Sequence, residues 1–411
     1  MKRCLRECVR YVQLKLLPRD VWRRAADGRK NPEILPGTIW MVMLYGLVMQ
    51  VPSLEQLERL GRDALGRVLP RGQRAPSADA LRDGLNGAAL DRLRTVFVGM
   101  MKRARAMKAV SWLEGFRVVA IDGSHFFGST IHKCEDCHTA HHQGGEVTHD
   151  HAGVFCHGVG AGPKLFWGFE PVHPGEGEVA AAKRLVSWLY TTFHHFADVM
   201  VVDAGFARAP FLQHLRHFGY HFVVRLKDER MHIVRDALGL FGQSPPRLVY
   251  EVKKGGCRWE VRIWEDVFDS WEAMGRLRVV YVEERQQNGR GKGAVQRLLV
   301  ATSLSVEEAG AAIIREMAHQ RWSIENTAFH EGKGRFHLGH AYVHTAVAIE
   351  AVLWFQMMAM NIHQLYFRHH LRWVRERGYS SAEVAQRLIA ELLYADDRSL
   401  RSVFSLGWAS G

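Results

Sequence analysis

Cysteine is scarce in this chain of 411 residues, long uninterrupted apolar runs are missing, and acids do not outnumber bases. There are six cysteines, and the opening MKRCLRECVRYVQLK mixes arginine with glutamate where a secretory signal would carry an apolar core. Reduced thiols in a cytosolic, cytoplasmic setting are therefore expected, in place of a disulfide framework. The longest apolar stretches are residues 38–51 and 341–365. The first is too short to cross a bilayer, and the second is broken by His344, Glu350, Asn361 and His363. Both are expected to be buried helices, with no membrane partner. Disorder is excluded as well, because 47% of residues are apolar and 10% aromatic.

What is present is a positive charge of +12, unevenly distributed. Residues 1–110 hold 22 lysines and arginines against 10 acids, whereas the remaining residues hold 33 of each. A neutral body with a basic head points to a polyanionic partner, nucleic acid first. The head reads as helical, with starts marked by Pro18-Arg19-Asp20, Pro52-Ser53 and Pro76-Ser77 and a helical apolar period through Leu54, Leu57 and Leu60. A longer helix, 90–108, ends in the basic run MKRARAMK. Lys102, Arg103 and Arg105 are its candidate DNA contacts, against the alternative of a solvated face that suits the helix dipole.

From residue 116 the pattern changes. Strands are expected at 116–121, 152–159 and 164–169, followed by a helix at 179–193, a strand at 199–202, a helix at 207–218 and a strand at 220–226. A β-rich passage follows, closed by the turn-rich QQNGRGKG and a strand at 297–302, and helical patterning then runs to the end. Two of the apolar strands terminate in an acid: FRVVAIDG delivers Asp122 and DVMVVDAG delivers Asp203. A charge at the end of a buried strand needs a cationic partner. The competing reading of Asp122-Gly123 is a hairpin turn. A third acid, Glu325, lies in RWSIEN four residues after Arg321, on one face of an expected helix, and there the competing reading is a surface ion pair.

Three acids in the order strand, strand, helix resemble the ribonuclease H-like core of a DDE transposase. AIDGSHF, VVDAGF and HQRWSIENTAF are the most similar segments, and RWSIE is similar to the centre of the Tyr-Arg-Glu-Lys signature of bacterial insertion-sequence family four. Ala318 stands where that signature has its Tyr, Lys333 follows Glu325 after seven residues instead of six, and Arg297 occupies the place of a Trp found in some relatives.

The resemblance implies an α/β fold: a ribonuclease H-like mixed sheet flanked by helices, with a β-rich insertion and an all-α N-terminal DNA-binding region. The expected division is a basic helical region at 1–110, a catalytic core at 111–226, the insertion at 227–296, the rest of the core at 297–365 and a C-terminal helical region at 366–411. It further implies catalysis by Asp122, Asp203 and Glu325 with two Mg²⁺ or Mn²⁺ ions, phosphate contacts by Arg321 and Lys333, and a homodimer on DNA in a bacterial, nucleoid-associated setting. The substrate would be the terminal inverted repeats of an insertion sequence, cut and joined to target DNA. A DNA-binding relative without catalysis and a ribonuclease H-like nuclease without strand transfer are the alternatives. Hard divalent cations suit such chemistry because carboxylates from separate elements hold them without a closed cage.

Between the first two strands lies a second constellation: His132, Cys134, Cys137, His138, His141, His142, His149 and His151. Cys-x-x-Cys with histidines at this density is compatible with structural Zn²⁺, with Cys134, Cys137, His138 and His149 as expected ligands. A redox pair and an unliganded loop are the alternatives. His125 is expected to be structural.

Overall fold

The computed structural model describes residues 4–18, 20–64, 74–340, 342–371, 374 and 376–395, so the last part of the expected C-terminal helical region, 396–411, lies outside the described residues. The first helices are α1 (Cys4–Tyr11), α2 (Asp20–Arg23), α3 (Pro36–Val48), α4 (Leu54–Asp63), α5 (Ala78–Asn86) and α6 (Leu90–Ala106). Proline at the first turn opens α3, while Ser53 and Ser77 accept hydrogen bonds from the Gln56 and Ala80 amides to cap α4 and α5.

Ten strands then build one sheet: β1 (Val118–Ser129), β2 (His138–His141), β3 (Val147–Val159), β4 (Phe166–Val172), β5 (Val199–Val202), β6 (His221–Arg225), β7 (Leu248–Lys254), β8 (Cys257–Phe268), β9 (Leu277–Gln286) and β10 (Val295–Thr302). Their order is β2-β3-β1-β5-β6-β10-β9-β8-β7, with β4 also on β3. β1, β5 and β6 run parallel, and β3 and β4 are antiparallel additions on one side. This is the mixed five-strand arrangement of a ribonuclease H-like core. Parallel strands are buried on both faces, which is why VVAI, VMVV and HFVV read as continuous apolar runs.

Helices α7 (Glu178–Phe193), α8 (Ala209–His217), α9 (His232–Gln243) and α10 (Ala311–Gln320) connect and cover the strands. α7 packs on β3 and β4, α8 on β6, and α10 on β6 and β9. After α10 come a π-helix, Ile324–Phe329, then α11 (His330–Arg335), α12 (Ala346–Ile362) and α13 (Ser381–Tyr394). By length and composition the segment Ala346–Phe367 would suffice to cross a membrane, but it is mostly buried inside the fold. Its polar groups are spent on the interior: Asn361 accepts from the Phe166 amide at 2.8 Å and donates to the Phe166 carbonyl at 2.9 Å, and Gln356 donates to the Phe336 carbonyl.

Three findings refine the expectations. First, β1 does not end at Asp122, and Asp122-Gly123 is no turn. Pairing with β3 continues from Asp122↔Phe155 to Phe126↔His151, so the acid lies within a strand that runs on to Ser129. Second, the passage at 227–296 opens with α9, and its strands extend the core sheet itself, because β10 pairs with both β6 and β9. Third, the helices of residues 1–110 do not stand apart. α3, α5 and α6 pack against α12, Trp40 meets Phe355 and Phe97 meets Trp354, and Glu391 on α13 caps α1 through the Leu5 amide. Buried on every side, α3 belongs to the same core as the sheet.

Candidate active site

Ile121 pairs with Val202 across the parallel β1 and β5, so Asp122 and Asp203 are the next residues along the two chains, near enough for the charge of Asp203 to act on Asp122. Each carboxylate is held by its own backbone. Asp122 Oδ1 accepts from the Gly123 amide at 3.0 Å, and Asp203 Oδ1 accepts from the Gly205 amide at 2.8 Å, closing the turn after β5. Glu325 enters from the second residue of the π-helix, which lies against β1 and β3.

The link among them is Arg321. Its Nη1 donates to Asp122 Oδ2 at 2.9 Å and lies 2.7 Å from Glu325 Oε1. The Arg321 side chain is 9% exposed and that of Glu325 48%. The pair is therefore no surface ion pair: the guanidinium is buried between two carboxylates, while Glu325 stays half open to solvent. As placed, Arg321 joins the Asp122 and Glu325 carboxylates.

One arginine does not balance this cluster. Burial pushes the Asp122 carboxyl up to about 7. Arg321 and the Gly123 amide work against that shift, and the charges of Asp203 and Glu325 add to it. A fourth acid, Glu178 at the start of α7, was not foreseen. Its carboxyl is raised by burial and by Asp203, with His125 opposing. It lies directly over Gly123, where an added Cβ would come within 2.1 Å of Glu178 Oε1. An acid in the first turn of a helix has an ordinary explanation in the dipole, so nothing in the chain singled out Glu178.

Arg225, also unforeseen, ends β6 and feels both Arg321 and Asp203. The cue for it was present: HFVVR is a third buried strand running into a charge, built like the two that deliver the aspartates. Arg225 lines a cavity of about 40 Å³ with Val202, Val223, Arg297, Arg321 and the 40% exposed Trp322. Cations and an indole thus face the space beside the acids.

The other expected contacts are scattered. Lys333 is exposed on α11. Lys102 and Arg103 are exposed on α6, but Arg105 donates to the carbonyls of Phe193 and His195 at 2.5 and 3.2 Å and so fastens α6 to the loop after α7. His125 is paired with Asp150 at 3.0 Å. The metal-ligating expectation at 132–151 is partly redirected. Cys134 and Cys137 come together as expected, but the histidine that meets them is His151. His138 instead bonds the Val172 carbonyl at 2.7 Å, and His149 bonds Thr139 at 3.1 Å. Side chains alternate along β3, so His149 and His151 share a face, yet only His151 lies over the cysteine loop. All six cysteines are free thiols.

The fold is a mixed sheet of the ribonuclease H-like kind, with Asp122 inside β1 and Asp203 just after the adjacent parallel β5. Residues 170–362, somewhat less than half of the chain, match the family described as Transposase DDE domain. That segment contains Asp203, Arg321 and Glu325; Asp122 precedes it. Among solved structures the chain is similar to a piggyBac transposase in a synaptic complex with hairpin DNA, at 10% identity and a TM-score of 0.46, over 96% of this chain and 80% of that one. No curated protein matches.

Proposed function

We propose that this protein is a DDE transposase that binds the terminal inverted repeats of an insertion sequence, cleaves at the ends and joins them to target DNA. In this reading Asp122, Asp203 and Glu325 are the three acids, and Arg321 and Glu325 correspond to the Arg and Glu of the Tyr-Arg-Glu-Lys signature of insertion-sequence family four. The observation that carries it is the unbalanced cluster: Asp122 beside Asp203 on parallel strands, with Glu325 brought to Asp122 by one buried arginine. The match of residues 170–362 to a transposase domain supports the same reading.

The oxygen donors of these acids are of the kind a hard divalent cation takes. Arg321 stands between Asp122 and Glu325, and even so Asp122 resists ionisation. Asp122, Asp203 and Glu325 would hold two Mg²⁺ or Mn²⁺ ions, which neutralise the scissile phosphate and activate the attacking oxygen. The chain's own residues supply the rest. The Gly123 and Gly205 amides fix the two aspartates, Arg321 orients Asp122 against Glu325, and Arg225, Arg297 and Lys333 offer positive charge to a phosphate backbone. DNA is the partner, bound in the reading as a homodimer, and a cytoplasmic, nucleoid-associated location follows from it.

The test uses the full-length protein and DNA carrying the inverted repeats that flank its gene. Wild type should nick that DNA only with Mg²⁺ or Mn²⁺, and Asp203→Asn should bind it with unchanged affinity but leave it uncut. Binding without cleavage in the wild type would favour the non-catalytic DNA-binding protein. Cleavage without joining to a target would favour the nuclease.

A further inference from the structure

We propose that Cys134, Cys137 and His151 form a zinc site with water in the fourth position, fastening the loop at 132–137 to the strand that pairs with the Asp122 strand. The site is independent of the catalytic reading, since none of its ligands belongs to the acid cluster. Cys134 Sγ lies 3.6 Å from Cys137 Sγ, and His151 Nε2 lies 3.2 and 3.5 Å from the two sulfurs. A tetrahedral Zn²⁺ with ordinary Zn–S and Zn–N lengths sets its ligands about 3.8 Å apart for two sulfurs and about 3.6 Å for sulfur and nitrogen. Three soft or borderline donors thus already converge at the spacing one small ion requires, with His151 buried and both cysteines half-buried.

The surroundings are shaped to the same end. The turn Cys134–Cys137 closes on itself, with the Cys137 amide donating to the Cys134 carbonyl and the Cys134 amide to Cys137 Sγ. Opposite His151, β1 is irregular: its register with β3 shifts between Phe126 and Ser129, and Phe127 adopts φ 62. The irregularity places the rings of Phe126 and Phe127 6.2 and 6.3 Å from His151, an apolar wall beside the histidine. Such kinks re-aim side chains at a site.

Zn²⁺ is the ion selected. Thiolates exclude Mg²⁺ and Ca²⁺, and two sulfurs with one imidazole suit Zn²⁺. On binding, each thiol gives up its proton to solvent and neutral His151 contributes the lone pair of Nε2. Phe126 is the β1 partner of His151 and lies four residues beyond Asp122, so the ion sits about 13 Å along the strand pair from the acid cluster. It would anchor the far end of that strand pair and take no part in phosphoryl transfer.

Full-length protein grown with zinc should contain about one equivalent by elemental analysis. Cys134→Ser, Cys137→Ser and His151→Ala should each lose it, and His138→Ala and His149→Ala should each keep it. Metal-free wild type titrated with Co²⁺ should develop intense tetrahedral bands with thiolate charge transfer, a readout that holds even where a variant does not fold. Wild type that takes up neither zinc nor Co²⁺, a weak octahedral Co²⁺ spectrum, zinc retained in His151→Ala, or zinc lost in His138→Ala would each overturn the assignment.

Discussion

Two buried acids of the same sheet behave in opposite ways. Glu284 on β9 is 3% exposed and Asp122 on β1 is 13% exposed, so both carboxylates are removed from water. Burial works against the charge of Glu284, yet hydrogen bonds from His319 and Arg315, each at 2.6 Å, outweigh it and hold the carboxyl down at about 2. Asp122 has one arginine, shared with Glu325 and crowded by Asp203, and burial pushes it up to about 7. Two hydrogen-bonding partners, Arg315 and His319, to one acid make a closed structural cluster. At Asp122 one bonded arginine, with Arg225 nearer Asp203, does not outweigh burial and the neighbouring acids, and that distinguishes a binding site from a structural ion pair.

The comparison breaks most easily at Glu284. Glu284→Gln takes the close anion from the Arg315 guanidinium, 8% exposed, and leaves it the more distant Glu316 carboxylate at 3.8 Å. A loss of about 3–5 kcal/mol in urea unfolding is expected, with divalent-cation binding intact. A variant as stable as wild type would show that the pair is not the structural counterpart described.

Asp122→Asn should shift stability in the other direction. The folded carboxyl titrates near 7, above the unfolded value near 3.8. Its contribution to stability is therefore full below pH 3.8 and is lost as pH rises toward 7. Without divalent cations, the asparagine variant should exceed wild type at about pH 8 by on the order of 2 to 4 kcal/mol, and the gap should close on acidification to about pH 4. Thermal denaturation across that range checks the sign. A gap that widens toward acid would contradict it.

Smaller effects sharpen the picture. Gly123→Ala would drive a methyl against the Glu178 carboxylate, 2.1 Å from Oε1, and a cost of about 1–3 kcal/mol is expected in chemical unfolding as the glutamate is displaced. Lys333→Ala removes an exposed cation. Stability should stay within about 0.5 kcal/mol, while the salt dependence of DNA affinity should flatten by about one unit of slope.

Much of this was legible in the chain. Continuous apolar runs located β1, β5 and β6, because strands buried on both faces carry no polar alternation, and the acids following the first two runs marked Asp122 and Asp203. The serines at 53 and 77 marked two helix starts through their caps. What stayed hidden depends on distant packing. That β1 continues past Asp122 is decided by its pairing with β3. Which histidine meets the cysteines is decided by how the loop folds over that strand, and a count of histidines does not contain it. Arg321 looked like half of a surface pair because i, i+4 spacing reports only the local helix, whereas its burial comes from Asp122, 199 residues away in sequence. Residues 1–110 looked like a separate head because charge is read segment by segment, but the helices share the core through α12.

The acid surplus is tested most directly by calorimetric titration of Mn²⁺ into the full-length protein at about pH 8 and about pH 5, without DNA. Because a proton and a metal ion compete for Asp122, binding should be clear at the higher pH and much weaker at the lower. Asp122→Asn, Asp203→Asn and Glu325→Gln should each lose it at both, and Glu284→Gln should bind as wild type does. Mn²⁺ affinity unchanged in Asp122→Asn, or lost equally in Glu284→Gln, would contradict the assignment of the cation site to Asp122, Asp203 and Glu325.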